Sequence, residues 1–232
     1  MLVGNNIAKS YPNKLVLQNV DFEAKSGDMI VLTGENGSGK TTLLDMLASL
    51  KKPDSGTLEL DNELFTTNDI RQQIAYLNNE LYAKKSTTIE DFMKQHGLLF
   101  ENIELDKWDR LLAGWRINKR LKLGELSTGM LMKVKIGSVL ARKAKLYLYD
   151  EPFASIDIMA RSEVMKAIIS ETNPDAITII SSHHLEGTEK LYSKLWLIKD
   201  NTLQTIETET YREETGNALI DFYKEEMNKL QK

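Results

Sequence analysis

The spacing of apolar residues along the chain predicts a helical middle between two β-rich parts. Apolar residues alternate with polar ones in the first part, as in LVLQNVDFEA (15–24), which is the period of a half-buried strand. From about residue 86 the spacing changes to three or four residues, as in IEDFMKQHGLLF (89–100), which predicts helices. From Leu146 onwards, short apolar runs alternate with helical segments again. This order predicts an α/β fold with a mixed, mainly parallel sheet and flanking helices.

The same pattern divides the chain, which we expect to form a single domain over residues 1–232. The core and an N-terminal antiparallel β-subdomain are predicted to comprise residues 1–79 and 143–206, approximately. Residues 80–142, approximately, are predicted to form an inserted α-helical lobe. The remaining residues, 207–232, are predicted to form a charged helical tail. The chain shows neither an internal repeat nor a Gly/Ser-rich linker, which argues against two tandem domains.

Two local patterns refine these boundaries. Thr87 and Glu90 have the spacing of a capping box, so a helix is expected to begin beside them. The run RQQIAYLN (71–78) is predicted to be a strand.

Composition excludes several classes of function. The chain has 232 residues, 41% of them hydrophobic, and a formal net charge of −4, which is ordinary for a globular protein and gives no broad footprint for nucleic acid. Its lack of cysteine excludes disulfides, thiolate metal sites and cysteine nucleophiles. No apolar stretch approaches 18 residues, and no secretory signal is visible. We expect a cytoplasmic chain that works at a membrane only by docking on another chain.

The residues GENGSGKTT (34–42) match the phosphate-binding loop pattern G-x-x-x-x-G-K-[ST]. An apolar strand-like run precedes them and a helical run follows, which is the setting that the motif requires. Lys40 is expected to reach the β- and γ-phosphates, and the Thr41 hydroxyl to hold Mg²⁺; the alternative is a glycine-rich turn without a ligand. The residues predicted to bind the triphosphate are Gly34, Glu35, Asn36, Gly37, Ser38, Gly39, Lys40, Thr41 and Thr42.

A second motif, LYLYDE (146–151), is an apolar strand that ends in two acids. The carboxyl ends of parallel strands are where such sheets bind ligands. Asp150 is therefore expected to hold Mg²⁺, and Glu151 to take a proton from the attacking water or to orient it. The alternative is that the acids only cap a strand and begin a turn.

A third motif, LSTGM (126–130), opens an amphipathic stretch. Ser127 and Gly129 at a helix start can offer a hydroxyl and backbone N–H groups to an anion. Ser127 is equally consistent with a simple N-cap.

The ordered set GENGSGKTT, LSTGM, LYLYDEP, ASID and IISSHH resembles the nucleotide-binding subunit of the ATP-binding cassette (ABC) family, of an export-type bacterial transporter. The resemblance covers the chain from about Ile7 to Leu203. It implies a phosphate-loop NTPase core, ATP hydrolysis with Mg²⁺ as cofactor, and a helical lobe that passes motion to a partner.

The resemblance also implies contacts around the nucleotide. Tyr11 stands where the family stacks an aromatic ring on adenine, and Val16 is expected at the ring edge; a tyrosine in a surface turn is the alternative. Asn79 takes the place of the family's metal-binding glutamine, with Asn78 as the other candidate, and both are also consistent with turn-forming asparagines.

Other residues are implied to act across a dimer of two ABC subunits. Ser127, Thr128 and Gly129 correspond to the signature loop that closes the partner's ATP site, although Thr128 replaces a glycine of the commonest form. Asp157 corresponds to a short loop crossing to the partner, or it caps a helix. His183 takes the position of a switch histidine that bonds the γ-phosphate and orients Glu151; the alternative is a structural histidine.

These features lead us to expect the ATP-hydrolysing subunit of a membrane transporter, an exporter by motif resemblance. The expected partners are ATP, a second ABC subunit, identical or related, and a separate integral membrane permease that holds the chain on the inner face of the cell membrane. No nucleic-acid partner is expected. The alternatives are a soluble ABC ATPase serving a cytosolic assembly, such as an iron–sulfur scaffold, and an ABC ATPase associated with nucleic acid or ribosomes.

Overall fold

The computed structural model describes residues 1–65, 69–78, 83–154, 156–183 and 188–230. Within these ranges, strands and α-helices occur in the following order along the chain: β1 (Leu2–Tyr11), β2 (Lys14–Ala24), β3 (Met29–Gly34), α1 (Lys40–Leu47), β4 (Ser55–Leu60), β5 (Glu63–Leu64), β6 (Ile74–Leu77), α2 (Ile89–Leu99), α3 (Leu105–Gly114), α4 (Thr128–Leu140), β7 (Leu146–Tyr149), α5 (Ile158–Glu171), β8 (Ile177–Ser181), β9 (Lys194–Lys199), β10 (Thr202–Glu207), α6 (Thr208–Thr215) and α7 (Leu219–Leu230). Short 3₁₀ turns lie at Asp69–Gln73, Leu123–Glu125 and Glu189–Leu191.

Two sheets form the framework. The first is antiparallel with the order β2-β1-β4-β5, and the second has the order β10-β9-β3-β8-β7-β6. In the second sheet every pair is parallel except β9 with the edge strand β10. The predicted α/β fold, with its antiparallel β-subdomain and inserted helices, is confirmed. The parallel order brings the carboxyl ends of β3, β8 and β7 to one edge of the sheet.

The larger sheet is buried on both faces because its strands are apolar at successive positions. In β3, Ile30 and Leu32 pack with α1 and the antiparallel sheet, while Val31 points to the opposite face. That opposite face is covered by α5 and by the carboxyl-terminal half of α4. Trp196 of β9, fully buried, lies on the α1 side.

The inserted helices have their own small core, which includes Phe92 of α2 and Trp108 of α3. Helix α4 belongs to both cores: Val134 packs in this cluster, whereas Ile136 and Val139 pack beneath the sheet. The inserted helices are thus joined to the sheet through one buried helix. Among the residues that the structure describes, no helix combines the length and the apolar character that crossing a bilayer requires.

The cap predicted at Thr87 lies one residue too early, whereas the helix predicted over 89–100 does begin at Ile89. Thr88 is the N-cap of α2, and its hydroxyl accepts the amide of Asp91 at 3.1 Å. Thr87 is instead held by neighbouring backbone, because its carbonyl accepts the amide of Leu123. The position of the α2 cap therefore depends on this long-range backbone contact as well as on the local sequence.

Two other predictions were too simple. The strand expected over 71–78 begins only at Ile74, because the preceding residues form a 3₁₀ turn. The tail forms two helices, since Gly216 ends α6 in a left-handed conformation with φ of 71°. The aromatic rings of Tyr211 and Phe222 then join the two helices in an edge contact.

Arg142 fastens the junction between the sheet and the inserted helices. Its buried guanidinium donates to the backbone carbonyl of Ile74 and, at 3.1 and 2.9 Å, to those of Arg71 and Gln72. It also lies 3.7 Å from the centre of the Phe100 ring. Burial lowers the pKa of Arg142 to about 10, which leaves it protonated at neutral pH.

Replacing Arg142 by methionine should lower the free energy of unfolding by about 2–4 kcal/mol, because three buried or partly buried backbone carbonyls lose a donor. Urea denaturation measures the change. The matched control is Arg110→Met. The Arg110 side chain is exposed, and its ion pair with Glu171 is long, at 3.9 Å, so we expect a change within about 0.5 kcal/mol. Equal stability of the two variants would contradict the role given to Arg142.

Candidate functional site

The phosphate-loop residues curl between the end of β3 and the start of α1. Gly39 precedes α1 with φ of 117°, and a Cβ there would lie 2.6 Å from Cγ1 of Val16. Only glycine fits this conformation and this close approach. Within the described residues no side chain caps the amino end of α1, so its first N–H groups are available to an anion.

Lys40 lies across the loop that precedes it. Its side chain is buried, and the ammonium donates to the carbonyls of Gly34 and Glu35, both at 3.0 Å. Burial lowers the pKa of Lys40, while the nearby carboxylates of Glu151 and Asp150 oppose that change. The Lys40 ammonium is therefore held at the centre of the loop, where a phosphate would compete with these two carbonyls for its hydrogen bonds.

Asp150 lies at the end of β7 and meets the loop directly. It is 1% exposed, and its Oδ2 accepts the Thr41 hydroxyl at 2.9 Å. A hydroxyl and a carboxylate are the hard oxygen donors that Mg²⁺ prefers, and Mg²⁺ is usually held by one or two such groups together with substrate phosphates. Among the described residues, no group of three or more Asp, Glu, His or Cys side chains is arranged to hold a metal ion by itself. Thr41 and Asp150 thus fit the implied magnesium ion.

Glu151 follows with an unusual backbone, at φ of 46°. Its Oε1 lies 3.1 Å from Nε2 of His183, yet within the described chain this buried oxygen accepts no hydrogen bond of good geometry. Burial raises the pKa of the Glu151 carboxyl above its ordinary value, with Lys40 acting in the opposite direction. A raised pKa and an oxygen with spare accepting capacity are the properties of a general base.

Ser181 is a site residue that the sequence reasoning missed. Its hydroxyl donates to Oδ1 of Asp150 at 2.7 Å and accepts the amide of Glu151 at 2.8 Å. It is the last residue of β8, next to β7 in the sheet, so it stands beside the two acids. Its place two residues before His183 in IISSHH was the available signal.

One cavity of about 290 Å³ gathers these groups. Its walls include Val16, Asn36, Gly37 and Thr42 from the predicted nucleotide set, as well as Lys14. Lys14 was also missed by sequence reasoning; its ammonium donates to the Gly37 carbonyl at 2.6 Å. A triphosphate would therefore meet a second cation beside the loop.

Two other residues of the predicted nucleotide set, Ser38 and Tyr11, do not line this cavity. The Ser38 hydroxyl is buried, with no hydrogen bond inside the described ranges, and the Ser38 amide donates to the Glu35 carbonyl. Tyr11 stands partly exposed, with the Lys51 ammonium 5.5 Å from its ring centre. Hydrogen bonds with Lys51 and, to a smaller extent, with Thr42 lower the pKa of the Tyr11 phenol. Because Thr42 is in α1, Tyr11 lies next to that helix.

The signature residues are not part of this cavity. Ser127 and Thr128 are exposed at the start of α4, and Ser127 acts as the N-cap by accepting the amide of Met130 at 3.2 Å. A Cβ at Gly129 would meet nothing within 4 Å, so the helix tip is open. Ser127 and Thr128 are therefore accessible from outside the cavity beside the chain's own phosphate loop.

Asp157 is likewise an exposed N-cap, at the start of α5. It accepts the amide of Ala160 at 2.9 Å, and that hydrogen bond lowers the pKa of its carboxyl. Asn79 lies outside the described residues. Asn78 directly follows β6, and its backbone carbonyl accepts a hydrogen bond from the Lys135 ammonium at 2.8 Å.

Comparisons with known proteins agree with this geometry. Residues 17–154 match the family model described as ABC transporter. The chain is 30% identical to the lipopolysaccharide export system ATP-binding protein LptB of Haemophilus influenzae, over 85% of this chain and 86% of that protein. It is 29% identical to the arabinose import ATP-binding protein AraG of Pseudomonas savastanoi pv. phaseolicola, over 84% of this chain but only 41% of AraG. It also superimposes on the dimeric, post-hydrolysis structure of the ATP-binding cassette MJ0796 bound to ADP and Pi, with a TM-score of 0.76 and 21% identity, over 89% of this chain and 98% of that one.

The chain therefore belongs to the ABC transporter family, as the motifs predicted, and its fold is that of the family's ATPase cassettes. Its relatives include proteins named for import and for export, so relatedness alone assigns no direction.

Replacing Ser181 by alanine should lower the turnover of MgATP about tenfold, because Asp150 and the Glu151 amide both lose a partner. A phosphate-release assay measures this. Ser193→Ala is the matched control, since the Ser193 hydroxyl donates to a carboxylate, Asp28, at the opposite end of the sheet. We expect the control to hydrolyse ATP normally; equal loss in both variants would contradict a specific role for Ser181.

Proposed function

We propose that this chain is an ATP-binding and ATP-hydrolysing subunit that drives a separate membrane permease through ATP-dependent dimerisation. The observation that carries the proposal is one cavity at the carboxyl edge of β3, β7 and β8. There a buried lysine, a hydroxyl–carboxylate pair and a glutamate with a raised pKa face a phosphate loop.

In the proposed reaction, the loop amides and Lys40 bind the β- and γ-phosphates. Thr41 and Asp150 would hold Mg²⁺, which when bound supplies positive charge to the phosphate oxygens. Glu151 takes a proton from a water molecule as that oxygen forms a bond to the γ-phosphorus. The bond between the γ-phosphorus and the bridging oxygen breaks, and ADP and phosphate leave.

His183 and Lys40 are proposed to stabilise the charge that develops on the γ-phosphate. The imidazole stands within contact distance of Glu151, and Lys40 approaches from the loop. Both are partly or fully withdrawn from water, so their electrostatic effect is larger than at an open surface.

Dimerisation supplies what one chain lacks. The tip formed by Ser127, Thr128 and Gly129 is exposed and has an open helix end, so it is available to a nucleotide held by another copy or a close relative. Asp157 is exposed at the start of α5, followed by the exposed apolar side chains of Ile158 and Met159. We propose that these surfaces close on a second subunit with ATP between them, as the dimeric form of the MJ0796 cassette supports.

The permease is proposed to dock in a groove between the sheet and α2. This groove has a volume of about 340 Å³ and is lined by apolar side chains, among them Leu77, Phe92 and Leu99, with the cation Arg71 at its border. A short amphipathic helix with an acidic residue fits this combination of apolar floor and positive border. The chain would then lie on the cytoplasmic face of the membrane.

We propose export as the direction. The support is the motif form LSTGM with its surroundings, which resembles export-type cassettes. The permease, and not this chain, is proposed to recognise the cargo.

Replacing Glu151 by glutamine should preserve MgATP binding but slow hydrolysis by about 10²–10⁴-fold, because the base is lost while the charge-binding groups remain. Light scattering with MgATP should then show a particle of about twice the 26.4 kDa of one chain. Glu23→Gln, an exposed glutamate on β2, is the control and should behave as wild type. A rapidly hydrolysing monomer would sink the proposal, as would full activity in Lys40→Ala.

Replacing Leu99 by aspartate tests the groove. Leu99 is 67% exposed at the groove's border, so a carboxylate there should abolish capture of an integral membrane partner from detergent extracts while leaving basal ATP hydrolysis unchanged. Leu105→Asp alters a similarly exposed leucine away from the groove and should retain the partner. Normal capture by Leu99→Asp, or recovery of only soluble proteins by wild type, would contradict permease docking at this site.

A further inference from the structure

The tail helix α7 contacts the backbone of the proposed switch histidine. Tyr223 is 8% exposed, and its hydroxyl donates to the backbone carbonyl of His183 at 3.0 Å, across 40 positions of sequence. The tail lies beyond the segment that carries the nucleotide motifs, so none of those motifs accounts for this contact.

Three further contacts hold α7 against the core. Leu219 is almost fully buried in the cluster beneath the sheet, and Tyr223 itself belongs to that cluster. Nearby, the ammonium of Lys199 in β9 forms an ion pair with Glu226 at 2.9 Å, and that carboxylate is largely withdrawn from solvent. These contacts fix the position of α7, and with it the position of the Tyr223 phenol.

His183 faces Glu151 with two of its groups. Its Nε2 lies 3.1 Å from Oε1 of Glu151, and its backbone amide forms a hydrogen bond to the same carboxyl. The third polar group of the residue, its carbonyl, is the one that Tyr223 holds. A donor on this carbonyl restrains the peptide plane, and through it the direction of the imidazole.

We infer that Tyr223 is a positioning residue for hydrolysis, which sets the orientation of His183 relative to Glu151 and so makes the tail part of the ATPase site. This inference rests on the role proposed above for His183. Tyr223 does not line the nucleotide cavity, so its effect passes through the backbone of His183.

Packing alone is the competing explanation, because the Tyr223 ring is part of the core. Tyr223→Phe separates the two, since it keeps the ring and removes only the hydroxyl. The matched control is Tyr211→Phe, which removes a phenol from the other tail helix, where the ring contacts Phe222.

Kinetics should show that Tyr223→Phe lowers kcat about 3- to 10-fold while KM for MgATP changes less than about twofold, because binding groups are untouched and only a reacting geometry is loosened. Tyr211→Phe should match wild type. In a His183→Ala background, adding Tyr223→Phe should cause no further loss.

The histidine resonances give a readout independent of turnover. The chain contains only three histidines, so ¹³C-labelled imidazole spectra have three signals, and the one missing in His183→Gln identifies His183. Tyr223→Phe should shift that signal and leave the signal of His96 in α2 in place.

The inference fails if Tyr223→Phe keeps both wild-type kcat and the wild-type His183 signal, or if its full effect on kcat persists without His183. A normal kcat in His183→Ala is a different result, because it overturns the proposed role of His183 itself. Equal losses in the two phenylalanine variants would show that tail packing, and not this hydroxyl, affects hydrolysis.

Discussion

One buried carboxylate joins the parts of the site. Asp150 accepts the Thr41 hydroxyl from α1 on one oxygen and the Ser181 hydroxyl from β8 on the other. A buried charge is tolerated only where such donors surround it, so the fold is required to bring these two elements to the end of β7. The parallel order of β3, β8 and β7 meets this requirement, because it places three strand ends, and therefore the loop, the acids and the histidine, at one edge.

The structure also depends on helix α4, which packs in both the core beneath the sheet and the core of the inserted helices. This helix is buried along its second half, with Val134 in the core of the inserted helices and Ile136 beneath the sheet. Its exposed first turn carries Ser127. Arg142, just beyond its end, anchors backbone carbonyls that precede β6. The proposed groove for a permease and the exposed signature tip thus lie on one continuous element, which offers a mechanical route between partner and nucleotide.

Sequence reasoning was most successful where the determinants are local. The phosphate loop, the strand that ends at Asp150 and Glu151, and the caps at Ser127 and Asp157 each depend on neighbouring residue types, so periodicity and spacing predicted them. Contacts between distant segments carried no such signal. The hydroxyl of Ser181 matters only because β8 lies beside β7, and Lys14 matters only because β2 passes the loop. The N-cap at Thr88 and the division of the tail at Gly216 depend in the same way on which backbone groups find partners.

The left-handed backbone of Glu151 has a consequence for the history of this position. Non-glycine residues with φ near 46° are strained by roughly 1 kcal/mol or more, and glycine or asparagine would adopt the same turn with less strain. Selection for folding alone would therefore favour losing the carboxylate. The glutamate at this position therefore lowers the stability of the fold, and a substitution that relieved the strain would stabilise the protein while removing the proposed catalytic base.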